Sequence, residues 1–338
     1  MTDYFRPLVQ IGPARPDAAV PLAGGWGWFT HAEVLSRSAS SRVVPAANIP
    51  ASVLARLTAA RTEIASLSLD RPRIMGILNT TPDSFSDGGQ HTAVSDAVRA
   101  GQAMVAAGAD ILDIGGESTR PGADFVLVSE EITRTAPVIA ALRGAGLRTP
   151  ISIDTRKSAV AEAAVSAGAD LVNDVSGFTF DPALGPLCQT LGLPVCVMHA
   201  QGDPATMHLD PRYDNVLLDV YDALERQIAV LEASGIPRSA ILADPGIGFG
   251  KTQEHNLALL ARLSLFHALG TPILLGVSRK RFIGTIGNAP QAQDRAPGSI
   301  AVALAGLGQG VQMIRVHDVK DTRQAVALWH AAYFGSIL

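Results

Sequence analysis

From Arg73 onward one pattern recurs along the chain. An apolar, β-branched run of four to seven residues stops abruptly in small polar or charged residues, and an Ala-rich helical stretch then leads to the next run. Eight such runs occur: "IMGILNTTPDSF", "ADILDIGGESTRPG", "PISIDTRK", "ADLVNDVSG", "PVCVMHAQG", "AILADPGIGFGK", "PILLGVSRK" and "QMIRVHDVKD". Eight strand-then-helix units in series predict an α/β chain closed into a (β/α)8 TIM barrel. The same alternation is compatible with an open doubly wound sheet. The count of eight favours the barrel, as do the polar residues at every strand's C-terminal end, where a barrel collects its site from all its loops.

The turns into the strands repeat too, as "AAGAD", "SAGAD", "LGLP", "LGTP" and "GQGV". Glycine just past a helix end supplies a left-handed cap, and Asp or Pro starts the extended segment. Between strands, "TAVSDAVRAGQAMVAAG", "SEEITRTAPVIAALRGAG", "KSAVAEAAVSAG" and "HNLALLARLSLFHALG" place apolar residues three and four apart, as helices covering the outside of a barrel would. The barrel is thus expected over 73–338. Residues 1–72 differ, with two of the three tryptophans in "GGWGWF", several prolines and one amphipathic helix expected from Ala51 to Leu67. They read as an N-terminal extension packing on the barrel, with its bottom as the place to close; a separate small domain is the alternative.

Composition excludes several classes. A formal charge of -4 argues against a general binder of nucleic acid or anionic membrane, so any anion must be caught locally. Cys188 and Cys196 are too few for a disulfide framework and lack zinc-site spacing. The start shows no charged segment followed by an apolar one, and no apolar run reaches 18 residues, so a cytoplasmic protein is expected.

The strand ends carry Asn79, Asp83, Asp113, Glu117, Arg120, Asp154, Arg156, Asn173, Asp174, His199, Asp244, Lys251, Arg279, Lys280, Arg315, His317 and Asp318. Singly, each reads as a cap, turn former or ion pair; together they converge on one barrel mouth. Arg315, His317 and Arg120, with Asn79 as an oxygen ligand, can hold a multiply charged phosphate and its Mg2+, which keeps mostly water and phosphate oxygens. Asp154, Asn173, Asp244 and Lys280 can read a polar heterocycle, since carboxylates accept paired N–H donors and Lys donates to a ring carbonyl or nitrogen. "PGIGFGKT" lacks the first glycine of a phosphate-binding P-loop, having Pro245 there. His199 reads as a hydrogen-bonded histidine on the floor of the site rather than a metal ligand. His255, His267 and His330 fall on helical segments with no partner evident. "NTTPDSFSDGGQH" and "GGESTRPGADF" are long and rich in Gly, Ser, Thr and Asp, as loops that close over a ligand are.

These motifs, with "IRVHDV", resemble in order and spacing those of the dihydropteroate synthase family of pterin-binding barrels, from roughly Arg73 to Tyr333. The resemblance implies a homodimer that condenses p-aminobenzoate with 6-hydroxymethyl-7,8-dihydropterin diphosphate, using Mg2+. It assigns the pterin to Asp154, Asn173, Met198, Asp244, Gly248, Phe249 and Lys280. The diphosphate falls to Asn79, Thr119, Arg120, Arg315 and His317, with Asn79 on the metal. The p-aminobenzoate pocket would comprise Pro82, Phe85, Thr119, Arg120, Pro121, Ser278 and Lys280, and the catalytic set Asp154, Lys280, Arg315 and His317. Ala200 and Thr80 depart from side chains common in the family without removing a charge. Two other readings are a pterin-dependent corrinoid methyltransferase, which uses neither a diphosphate nor an arylamine, and a silent pterin-binding homologue.

Overall fold

Eight short segments rich in Ile, Leu, Val and Met pair edge to edge in the computed structural model, which describes residues 3–81, 89–118, 125–202, 207 and 209–337. They are β1 (Arg73–Asn79), β2 (Ile111–Gly115), β3 (Ile151–Asp154), β4 (Leu171–Asp174), β5 (Val195–Met198), β6 (Ile241–Asp244), β7 (Leu274–Gly276) and β8 (Met313–Val316). All pair in parallel with their sequence neighbours. β8 returns to β1 in the register Met313↔Arg73, and the bridge Ala243↔Ile273 joins β6 to β7, closing the barrel. The connecting helices are α1 (Gly89–Ala106), α2 (Val128–Gly144), α3 (Ser158–Ser166), α4 (Leu184–Leu191), α5 (Val216–Ala233), α6 (Gln253–Leu260), α7 (Ala296–Gly308) and α8 (Val319–Phe334), with a short helix at Arg281–Ile286 before α7.

The period-two alternation of each strand divides labour between its faces. Ile74, Leu112, Ile153, Val172, Val197, Leu275 and Ile314 face the helices in the main core. On the inner face the first layer is apolar: Met75, Ile111, Leu171, Cys196, Leu242, Leu274 and Met313. Two residues further along the same strands the inner face carries Asp113, Asn173, Met198, Asp244, Gly276 and Arg315. The interior thus turns from hydrocarbon to charge within two residues.

The repeated Ala-Gly-Ala-Asp turns share one device. Asp110 accepts from the Ile74 amide at 2.8 Å and Asp170 from the Ile151 amide at 2.8 Å, so each aspartate fixes the preceding strand's first residues. An arginine spans each turn, Arg323 on the Gly108 carbonyl and Asp110, Arg143 on the Gly168 carbonyl and Asp170.

Residues 3–72 form a three-stranded antiparallel sheet (Tyr4–Pro7, His31–Leu35, Arg42–Pro45) and a helix. The Tyr4 hydroxyl donates to Asp222 on α5 at 2.9 Å, the Ser264 hydroxyl to the Pro7 carbonyl at 2.9 Å, and the Trp26 indole to the Leu307 carbonyl at 2.9 Å. The helix expected over Ala51–Leu67 is shorter, Ala51–Thr58. Tertiary pairing ends it: the Ala23 amide donates to the Leu57 carbonyl, Arg61 returns its amide to Ala23, and the Ala60 backbone packs on Gly24 so closely that a Cβ there would sit 2.6 Å away. Beyond it Ala65 and Ser66 turn through positive φ, and Ile64 and Leu69, 0% and 2% exposed, press onto the apolar layer at the barrel's lower end.

Candidate active site

Arg315 organises the barrel mouth. From β8 it reaches across the interior, donating from Nε to Asp113 at 2.5 Å and from Nη2 to Asp154 at 2.6 Å. Asn173 donates to the same Asp113 oxygen at 3.2 Å. Asp244 accepts from the Gly246 amide at 2.7 Å. Three inward carboxylates therefore face Arg315 and Lys280, an excess of negative charge in a buried place. Burial, and then the neighbouring Asp113, push Asp154 up to about 7 against the pull of Arg315. Burial also raises Asp244, with the Gly246 amide and Lys280 opposing it. Arg315 stays charged, because Asp113 and Asp154 outweigh the cost of its burial and raise it.

Strand β7 is followed by three successive cations that point to different surroundings. Arg279, at φ 56, turns away to pair with Asp318 at 3.0 Å through Nε. Lys280 enters the mouth, its ammonium 4.2 Å from the centroid of the Phe249 ring, and burial pushes it down to about 8. Arg281 opens the short helix and is exposed. Gly248 lies beneath Lys280, and a Cβ there would stand 3.2 Å from Lys280 Cδ, so glycine and Phe249 leave a flat slot under the ammonium. The Ser278 hydroxyl accepts from the His317 amide at 3.0 Å and lies 2.9 Å from His317 Nδ1.

Behind the slot, Lys251 is enclosed by His199 Nδ1 at 2.9 Å, the His199 carbonyl at 3.2 Å and the Phe249 carbonyl at 3.0 Å. Burial pushes Lys251 down to about 7, and burial with Lys251 pushes His199 down to about 3, so the neutral imidazole accepts the ammonium proton. Gly246, at φ 66, brings its backbone so near the His199 carbonyl that a Cβ would meet it at 1.8 Å. A cavity of about 730 Å³ flanks this region, lined by His199, Gln201, Tyr213, Arg226 and His255 among others. The histidines read as partnerless are not: His255 caps α6 with Thr252, His267 Nε2 lies 2.9 Å from the Gln309 carbonyl, and His330 Nδ1 lies 3.0 Å from the Ser336 carbonyl.

The structure brings Asp154, Asn173, Met198, Asp244, Gly248, Phe249, Lys280 and Arg315 to one mouth, with Ser278 and His317 at its β7–β8 side. Pro82, Phe85, Thr119, Arg120 and Pro121 lie outside the described residues, as do residues 82–88 and 119–124 of the two expected closing loops. Two participants were named only among the strand-end residues: Asp113, which joins Arg315 to Asn173, and Lys251. Period two along β2 puts Asp113 on the face of Ile111, whereas Lys251 follows a glycine turn that has no period to read.

Asn79 ends β1 in register with Gly115, which pairs in turn with Asp154. Its side chain has no hydrogen-bond partner among the described residues, and Gly115 beside it faces Asp154, whose Cβ would stand 3.5 Å from a Cβ added there. A neutral amide oxygen there suits Mg2+ that draws its other ligands from water and phosphate. Among the described residues no cluster of three or more His, Cys, Asp or Glu could cage a metal without such help, and no helix is long and apolar enough to cross a membrane.

The family described as pterin binding enzyme matches residues 75–317. Dihydropteroate synthase of Escherichia coli strain K12 is 47% identical over 266 residues, 79% of this chain and 93% of the relative. That of Neisseria meningitidis serogroup B is 44% identical over 270 residues, 78% of this chain and 94% of the relative. The solved structure of Xanthomonas albilineans dihydropteroate synthase with 4-aminobenzoic acid superposes with a TM-score of 0.75 at 45% identity, over 80% of this chain and 97% of that one. The Yersinia pestis enzyme, solved with a sulfonamide drug complex, gives 0.74 at 45% identity over 79% and 96%. The chain belongs to the pterin binding enzymes and, within them, to the dihydropteroate synthases, a family of transferases of folate biosynthesis.

Proposed function

We propose that this chain condenses p-aminobenzoate with 6-hydroxymethyl-7,8-dihydropterin diphosphate, forming 7,8-dihydropteroate and diphosphate. The observation that carries the reading is the set of buried Asn173 and Asp244 with half-buried Asp154 and Lys280 beside Arg315. It offers acceptors to a ring's N–H groups and an ammonium to its carbonyl or nitrogen, above an apolar floor. A solved relative holds 7,8-dihydropteroate, which fits the same assignment.

Cleavage of the C–O bond runs ahead of attack. The bond's electron pair leaves on diphosphate, and the positive charge left on the methylene spreads into the electron-rich dihydropterin. Arg315 offers Nη1, the guanidinium nitrogen not engaged by Asp113 or Asp154, to the departing anion. His317 assists from the same side, its amide donating to the Ser278 hydroxyl at 3.0 Å and its Nδ1 lying 2.9 Å from the same oxygen, which fixes the ring's orientation. Asp154, ionised, stabilises the cation. The aniline nitrogen then attacks the methylene and loses one proton to the released diphosphate or to water, so no strong general base is needed. Mg2+, held with the help of Asn79, supplies charge neutralisation on the diphosphate when bound. Asn79, Thr119 and Arg120 complete the diphosphate's partners, and Pro82, Phe85, Thr119, Arg120, Pro121 and Ser278 surround the arylamine, which sulfonamides mimic. The same resemblance supports a homodimer in the cytoplasm, tested by light scattering on the purified chain.

The deciding experiment is Mg2+-dependent release of diphosphate, with and without p-aminobenzoate. Release coupled to dihydropteroate is expected. Tight pterin binding with no release would overturn the reading in favour of a silent homologue.

A further inference from the structure

Arg156 and Lys157 follow β3, two and three residues beyond Asp154, and both reach the loop between β2 and α2. The Lys157 ammonium donates to Glu117 Oε1 at 3.0 Å, to the Val126 carbonyl at 2.6 Å and to Glu131 Oε2 at 2.6 Å. Arg156 adds Nε to Glu117 Oε2 at 3.0 Å and Nη2 to Oε1 at 3.3 Å, and the Val126 amide returns to Oε1 at 3.1 Å. The side chains of Lys157, Glu117 and Glu131 are 4%, 5% and 0% exposed. Both cations also contact aromatic rings, Arg156 at 4.1 Å from the Phe180 centroid and Lys157 at 4.5 Å from that of Phe125.

A buried pair of cations and carboxylates is costly to assemble, and an apolar cluster would stabilise the barrel as well or better. What the charges add is geometry. Glu117 precedes, and Val126 follows, the stretch that carries Thr119, Arg120 and Pro121. A tetrahedral ammonium with three donors can meet three oxygens arriving from three directions, which the planar fork of Arg cannot.

We propose that Lys157 is a positioning residue: it fixes the separation of the two limbs of this loop and refers both to the strand that carries Asp154. On the reaction proposed above, on which this inference rests, binding of p-aminobenzoate depends on that separation.

The test is Lys157→Met combined with Glu131→Gln, which removes the ammonium while keeping the cluster's charges balanced. Hydrogen exchange at the Val126 amide should quicken at least about tenfold while strand amides of the barrel keep their protection. In steady state, KM for p-aminobenzoate should rise about tenfold with KM for the pterin diphosphate within about twofold. Unchanged exchange at Val126 overturns the proposal, as does an equal rise in both KM values. Lys157→Arg in place of the double variant should fail to restore the wild-type KM; full restoration would show that charge alone suffices and sink the idea. If the double variant gives no cooperative melt, Glu117→Gln must show the same split. Absence of dihydropteroate from the wild type would refute the proposed reaction, while the exchange measurement would still decide the clamp.

Discussion

Asp154 holds a charge that the folded barrel opposes. The raised carboxyl is protonated in the native chain between about 4 and about 7, where the unfolded chain has already lost its proton. Its contribution is therefore greatest below about pH 4 and is lost as pH rises through about 7. Asp154→Asn should raise stability near neutrality, by on the order of 1–3 kcal/mol in urea denaturation, and flatten this stretch of the pH–stability curve. The same substitution should lower kcat by about a hundredfold or more at saturating substrates, because the developing cation loses its counter-charge. Normal turnover would count against that role. If pterin binding needs Asp154 ionised and Lys280 protonated, kcat/KM for the pterin diphosphate should be bell-shaped, with limbs near about 7 and about 8. A Lys280→Arg variant that keeps any activity should lose the alkaline limb.

The βα connections show where backbone shape, rather than side-chain chemistry, carries the site. Gly246→Ala would drive a methyl into the His199 carbonyl and should cost more than about 4 kcal/mol or prevent folding. Gly192→Ala, at φ 66 with nothing within 4 Å of the added carbon, should cost only about 1 kcal/mol; equal losses in thermal melts would show that strain, not the clash, dominates. Much of this level was legible in the sequence. The eight apolar runs became eight strands because each ends where side chains turn polar, and the polar residues that close "ISID", "LVND" and "ILAD" converge because parallel strands share one end. Less legible was whatever depends on a distant partner. Asp113 gains its role from Arg315, 202 residues away, and the helix after Pro50 stops at Thr58 because Ala23 and Gly24 claim the next residues, though the amphipathic pattern continues.

At the scale of the whole molecule, residues 3–72 and the barrel share buried surface at two places, the outer helices and the lower end. We propose that they unfold together, in one calorimetric transition; two separated transitions would mark an independent domain. Ile64→Ala, which opens a hole in the lower apolar layer, should cost about 2–4 kcal/mol, whereas Arg37→Ala, at a partly exposed pair with Asp219, should cost less than about 1 kcal/mol. Urea denaturation of both separates the two contributions. The apolar layer that fills the lower interior, with Ile64 and Leu69 packed beneath it, makes the barrel a cup rather than a tube. Everything that enters must leave by the same rim, so on the proposed reaction dihydropteroate departs along the path by which the next p-aminobenzoate arrives, and traffic at that single opening sets an order on release.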